Sequence, residues 1–136
     1  MSFAHLTLPT RDVERTAAFF ERTFGYARGP IPGNSPVPTQ WLDMGRGQQI
    51  HVVYVDGFET SAFEGEFGRH IAVFHPLSGF DALKSKLVAA GAEIIDPLRG
   101  TDFARFFVRE PVNGYVFEVI DQGKRQSAEG KGAGKG

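Results

Sequence analysis

The chain contains no cysteine, which excludes disulfides, thiolate metal sites and a cysteine nucleophile. No apolar run approaches the ~20 residues that a membrane span needs. The start, Met1-Ser2-Phe3-Ala4-His5, has no basic stretch leading into an apolar one, so nothing reads as a secretory signal. The expectation is a cytoplasmic protein with no membrane partner. Basic excess is also missing. The formal net charge is −1, and because residues from Lys124 onward carry +3, residues 1–123 carry −4. A mildly acidic body argues against a nucleic-acid partner, whose surface would call for a basic stripe. Tyrosine and tryptophan are scarce, three and one against 13 phenylalanines, so some Phe are expected to line a cavity as well as fill the core. With 136 residues, 41% hydrophobic and 23% charged, the chain is of single-domain size and can bury a real core.

The pattern along the chain reads twice. Phe3–Pro9 is a strand, after which Val13, Ala17, Phe20 and Phe24 fall at helical spacing, with Asp12 or Thr10 as N-cap and Gly25 as the stop. Residues 29–38, with four prolines and two glycines, are loop, and Thr39–Met44 and Gln48–Val55 read as strands joined across Gly45-Arg46-Gly47. Asp56–Gly68 is acidic and polar and reads as a linker. A second strand then runs over Arg69–Phe74, and Ser78-Gly79-Phe80-Asp81 resembles a capping box. Phe80, Leu83, Leu87 and Ala90 form a helical stripe ended by Gly91, and strands follow at Glu93–Asp96, Phe103–Arg109 and Tyr115–Asp121. The fold class expected is α+β: two βαβββ modules, approximately 1–56 and 69–122, forming a cupped mixed sheet with helices outside. Together they make one domain over 1–122. Residues 123–136, dominated by Gly, Lys and Ala, cannot bury apolar surface and read as a disordered tail.

Chemistry-bearing residues recur with the repeat. His5 opens the first strand and His70 the equivalent one; His51 follows His5 by 46 residues, and Glu118 follows His70 by 48. Taken singly, a strand histidine is more often a satisfied or surface residue than a ligand. Four metal-competent side chains at matched phase suggest instead two ligands from each copy. Histidine and carboxylate without thiolate suit zinc, nickel, cobalt, manganese or ferrous iron. Parity puts His51, Val53 and Val55 on one strand face and His70, Ala72 and Phe74 on another, with His75 pointing the opposite way from His70 and therefore outside the site. Glu118, between Phe117 and Val119, would be expensive to bury without a cation. Trp41, Phe103, Phe106, Phe107 and Tyr115 are candidates for an aromatic wall, with plain core the commoner reading. Arg99 and Arg105 are candidate anchors for an anionic substrate, with solvated surface the commoner reading.

His5-Leu6-Thr7-Leu8 followed by Arg11-Asp12-Val13-Glu14-Arg15-Thr16-Ala17-Ala18-Phe19-Phe20 resembles the opening of vicinal-oxygen-chelate proteins: the glyoxalases, bleomycin resistance proteins and extradiol dioxygenases. Phe107-Val108-Arg109-Glu110-Pro111-Val112-Asn113-Gly114-Tyr115-Val116-Phe117-Glu118 is similar to the closing stretch, where an acidic-Pro-x-Gly turn precedes a ligand glutamate. Here Glu110 replaces the usual Asp, and Val112-Asn113 lengthens the turn. The resemblance covers about residues 3–121. It implies a cup of two βαβββ modules and a divalent metal ion held by His5, His51, His70 and Glu118. It also implies a homodimer, with the modules paired within one chain or swapped between two. The second ligand position is Glu or Gln in several glyoxalase and epimerase relatives and is not a ligand in the dioxygenases.

His51 is consequently the residue on which the chemistry turns. With four protein ligands, an octahedral ion keeps two open positions, enough for an enediolate, and glyoxalase- or epimerase-like proton transfer on a small vicinal-oxygen substrate is the leading expectation. In that case Glu118 is the candidate proton shuttle. With His51 as an acid/base beside a His5, His70 and Glu118 triad, ferrous extradiol ring cleavage becomes the alternative. Thiol transfer to an antibiotic, as in the fosfomycin-resistance branch, ranks lower because no basic cluster for a phosphonate is evident. A non-catalytic drug-binding protein is the alternative from another class.

Overall fold

Both halves of the chain fold through the same succession of elements in the computed structural model, which describes residues 3–124. The first half runs β1 (His5–Thr10), α1 (Val13–Thr23), β2 (Ala27–Arg28), β3 (Thr39–Gly45) and β4 (Gln48–Tyr54). The second runs β5 (Ile71–His75), α2 (Phe80–Ala89), β6 (Glu93–Ile95), β7 (Arg105–Arg109) and β8 (Val116–Asp121). Each builds a four-stranded mixed sheet, ordered β1-β4-β3-β2 and β5-β8-β7-β6, with the first strand parallel to the last and the other pairings antiparallel. The α+β, two-module βαβββ architecture is thus present. The two compact units divide between Thr60 and Ser61. Of the expected tail, everything beyond Lys124 lies outside the described residues.

Local chemistry explains where the elements start. The Asp12 carboxylate accepts from the Arg15 N–H at 3.0 Å, capping α1, and the buried hydroxyls of Thr10 and Thr16 meet at 2.9 Å, tying β1 to the helix. The β3–β4 hairpin turns through Gly45, Arg46 and Gly47, all with positive φ, which two glycines make affordable. The capping box expected at Ser78 is not made. Leu77–Gly79 instead forms a 3-10 turn, and α2 starts after Gly79 without a side-chain cap. A Cβ at Gly79 would come within 2.8 Å of His75 Nε2, so the His75 ring, on the side of its strand away from Phe74, takes the space beside this turn. The two-residue β2 also has no signature in the sequence.

One face of each sheet is core. In the first unit Leu8, Leu42, Ile50 and Val52 are buried along with Ala17, Phe19 and Phe20 of α1. In the second, Val73, Phe106, Val108, Phe117 and Val119 are buried along with Phe80, Leu83 and Leu87 of α2. Each fully buried Leu, Ile, Val or Phe among them contributes about 1.5–3 kcal/mol of hydrophobic stabilisation. The opposite faces carry the chemistry, because strand alternation puts the polar residues there.

The segment read as a linker is, from Ser61, part of the second unit. Residues 63–69 close on themselves: the Arg69 N–H donates to the Phe63 carbonyl at 2.9 Å and the Gly65 N–H to the Arg69 carbonyl at 3.1 Å. A Cβ on Gly68 would collide with the Phe63 carbonyl, so the closure depends on glycine. Buried Glu64 pairs with Arg69 at 2.7 Å, and its other oxygen accepts from the Val116 N–H at 3.4 Å at the start of β8. This loop frames the candidate site.

Candidate metal centre

The two halves place their candidate ligands in the same register. On β1, β4 and β3, Thr7, His51 and Trp41 form one cross-strand row, with His5 two residues before Thr7. On β5, β8 and β7, Ala72, Glu118 and Phe107 form the equivalent row, with His70 two residues before Ala72. His5 therefore corresponds to His70, His51 to Glu118, and Trp41 to Phe107. Each unit brings its own pair together.

In the first unit, the pair is a stack. The His5 and His51 rings lie 3.9 Å apart at 12°, and Trp41 covers the other face of His51 at 4.2 Å and 7°. His51 Nε2 lies 2.8 Å from Gln49 Oε1, hydrogen-bonded to the side-chain amide. Burial, and then the neighbouring His5, hold the His51 imidazole below its ordinary pKa. An imidazole lone pair lies in the ring plane. Two nearly parallel rings stacked face to face share no in-plane point, so both cannot aim at one ion unless one of them turns.

In the second unit, the pair is a facing donor set. His70 Nδ1 lies 3.0 Å from the Gly65 carbonyl oxygen, which can only accept, so Nδ1 carries a proton and orients the ring. His70 Nε2 then faces Glu118 Oε1 at 3.2 Å. An unprotonated nitrogen and a carboxylate oxygen repel at this distance, so a proton or a cation belongs between them. Two cis donors around an ion with bonds of about 2.1 Å stand about 3.0 Å apart, so the observed spacing fits a shared divalent ion. The Phe107 ring packs edge-on against His70 at 5.2 Å.

Arg105 overturns its reading as solvated surface. Its side chain is 3% exposed; Nη1 donates to Glu118 Oε2 at 2.9 Å and Nη2 to Glu66 Oε2 at 3.0 Å and to the Arg99 carbonyl at 2.7 Å. Burial opposes its charge, but the hydrogen bonds to Glu118 and Glu66 more than compensate and raise its pKa. This is the cation that keeps Glu118 affordable inside the protein. Two carboxylates and a carbonyl take three of its five N–H donors, and among the described residues its buried Nε has no hydrogen-bond partner. Arg99 contributes its backbone, donating its N–H to Glu66 at 3.0 Å. Among the expected wall residues, Trp41 and Phe107 stand beside the candidate ligands, whereas Phe106 packs on Phe80 at 5.2 Å and Tyr115 is buried beneath Arg69. Phe103 packs under Lys124. Glu66 and the Gly65 carbonyl were not singled out from the sequence. The alternation of Arg105 with Phe107 was the available signal for the former cluster, since it puts Arg105 on the Glu118 face.

Among the described residues, no group of three or more His, Asp or Glu side chains is poised to hold a metal ion. Each unit instead offers two donors.

A family model, the glyoxalase/bleomycin resistance protein/dioxygenase superfamily, matches residues 2–119. The chain belongs to that superfamily. Direct comparison with curated proteins gave no match. Among solved structures, the fosfomycin resistance protein FosX from Mesorhizobium loti is similar at 18% identity, covering 93% of this chain and 97% of that one, with a TM-score of 0.70. A FosX variant from Listeria monocytogenes, solved with Mn(II) and 1S,2S-dihydroxypropylphosphonic acid, is 18% identical over 88% of this chain and 91% of that one, with a TM-score of 0.72. A glyoxalase family protein from Bacillus anthracis is 24% identical over 89% and 94%, with a TM-score of 0.70. At such identities the likeness is one of fold. The superfamily fold agrees with the paired βαβββ units and their matched rows.

Proposed function

We propose that this superfamily member is a divalent-metal enzyme acting on a small substrate with adjacent oxygen atoms. Its metal donors are His70 and Glu118, and the first unit's His5 and His51 are the other metal-competent pair. The observation that carries the reading is the His70 imidazole, locked by Gly65 so that Nε2 faces Glu118 Oε1 at 3.2 Å. When bound there, a divalent ion supplies Lewis-acid polarisation of the substrate's oxygens. The protein's own groups do the rest. Glu118, as a ligand that can loosen, is the candidate group to accept a proton from substrate and return it, while Arg105 on Oε2 keeps the carboxylate oriented. Phe107 borders His70 with apolar surface. This arrangement favours glyoxalase- or epimerase-like proton transfer, and we propose with it a homodimeric cytoplasmic enzyme.

The His5–His51 stack favours a second reading. With His51 sandwiched and not a ligand, the ligand set that the family resemblance implies would shrink to the two-histidine, one-carboxylate kind that suits ferrous ring-cleaving oxygenation. His51 would then be an acid/base and not a ligand.

Protein purified without chelator should carry close to one equivalent of divalent metal per chain. Less than about 0.2 equivalents, with no thermal stabilisation on adding Mn(II), Zn(II), Ni(II) or Fe(II), would reject the enzyme reading. Isomerisation of a hemithioacetal made from methylglyoxal and a thiol tests the first reaction class. Oxygen uptake with catechols under Fe(II) tests the second.

A further inference from the structure

The groups around Glu118 do not balance in charge. Glu118 and Glu66 contribute two carboxylates, both with side chains at most 10% exposed, and Arg105 contributes one guanidinium bonded to both. Glu66 is held independently of the arginine, since it accepts from the Leu98 N–H at 2.7 Å and the Arg99 N–H at 3.0 Å. It belongs to the same closed loop, residues 63–69, whose Gly65 carbonyl orients His70. An ion pair alone would need only Arg105 and one carboxylate; the second, Glu66, is kept charged by its two backbone donors and Arg105. Its effect is electrostatic: Glu66 offsets Arg105, so that Glu118 keeps net attraction for another cation at Oε1.

We propose that Arg105 and Glu66 are a positioning pair that sets the affinity of the His70–Glu118 site for a divalent cation without either of them touching it. Arg105 is the resident cation that holds Glu118 by Oε2 and leaves Oε1 as its donor atom. Glu66 prevents that arginine from neutralising the site. The inference rests on the reading of His70 and Glu118 as metal donors given above, and it adds opposite signs for two neighbours. Removing the Arg105 charge leaves a surplus of two negative charges and strengthens cation binding. Removing the Glu66 charge leaves none and weakens it.

The test is titration of the full-length chain with Mn(II) alone, comparing wild type, Arg105→Met, Glu66→Gln and the double variant, with far-UV circular dichroism as the check on folding. Charges a few ångströms from the ion in a poorly solvated site change affinity on the order of tenfold. Arg105→Met should bind Mn(II) about tenfold more tightly although its metal-free form is less stable, and Glu66→Gln about tenfold more weakly. The double variant should return to within about threefold of wild type. A purely structural role cannot produce tighter binding. Weaker binding in both single variants, or no change in either, overturns the proposal while leaving the metal site standing. If Arg105→Met does not fold, Glu66→Gln and the double variant still decide: unchanged affinity in Glu66→Gln, or no recovery in a folded double variant, overturns it. A wild-type chain that binds no Mn(II) or other divalent ion removes the proposed function itself, and this inference with it.

Discussion

Replacing Glu110 by alanine should cost the protein a large share of its stability. Glu110 is 1% exposed, and its carboxylate accepts from the backbone N–H groups of Val112 at 2.7 Å, Asn113 at 2.8 Å and Tyr115 at 3.2 Å. Its own backbone closes the turn, donating to the Tyr115 carbonyl at 2.9 Å and accepting from Gly114 at 3.1 Å. The side chain therefore organises the connection from β7 to β8 that places Phe107 opposite Glu118. Alanine strands three donors, each worth about 1–3 kcal/mol when buried without a partner. The turn is partly open, so water recovers some of that loss, and about 3 kcal/mol in total is expected. For a domain of this size that corresponds to a fall in Tm of roughly 10 °C. Glu110→Gln, which keeps the shape and one acceptor oxygen, should lose about 1–2 kcal/mol. Urea unfolding followed by circular dichroism measures both. An alanine variant within about 0.5 kcal/mol of wild type would refute the view that this carboxylate holds the turn.

Two further expectations address the loop and the stack. Gly68→Ala drives a Cβ into the Phe63 carbonyl, so the 63–69 loop must open; a loss of about 2 kcal/mol or more is expected, together with weaker metal binding because the Gly65 carbonyl no longer orients His70. Wild-type melting behaviour for that variant would count against the loop's role. Trp41 is the sole tryptophan and lies on His51, so its fluorescence reports that ring's charge. His51 is held below its ordinary 6.5 by burial and by His5, so quenching on acidification should have its midpoint below 6.5 and move upward in His5→Ala. By the same sign, the stability that His51 contributes is complete above 6.5 and is lost as the pH falls toward its folded value. A midpoint above 6.5 would contradict the stacked environment.

Strand parity carried the sequence reading a long way. Because side chains alternate strictly, the positions of His51 and Glu118 relative to their strands already fixed which faces they share with neighbours, and the structure adds the cross-strand rows that match Thr7, His51 and Trp41 with Ala72, Glu118 and Phe107. The helices were legible for a similar reason, since Asp12 caps α1 and the Phe, Leu and Ala stripes have a helical period. Legibility failed where the deciding partner is distant in sequence. Arg105 reads as a surface cation because its partner Glu66 lies 39 residues away, in a segment whose acidity and glycine content look like a linker. The same composition serves a tight loop: Glu64 and Glu66 are turned inward, and Gly68 permits the closure. The Ser78 capping box gives way to a 3-10 turn over Leu77–Gly79, and α2 starts with no side-chain cap. The stack of His5, His51 and Trp41 depends on ring orientation across three strands, which sequence spacing does not encode.

The central claim is that a divalent cation sits at His70 Nε2 beside Glu118. Long-range imidazole 15N–1H NMR correlations, recorded on the full chain during a Zn(II) titration, observe that nitrogen directly. The His70 Nε2 resonance should move to a metal-bound position near one equivalent while Nδ1 stays protonated against Gly65, and Glu118→Ala should weaken that response. A His70 ring unaffected by Zn(II), or one that takes the metal through Nδ1, would contradict it.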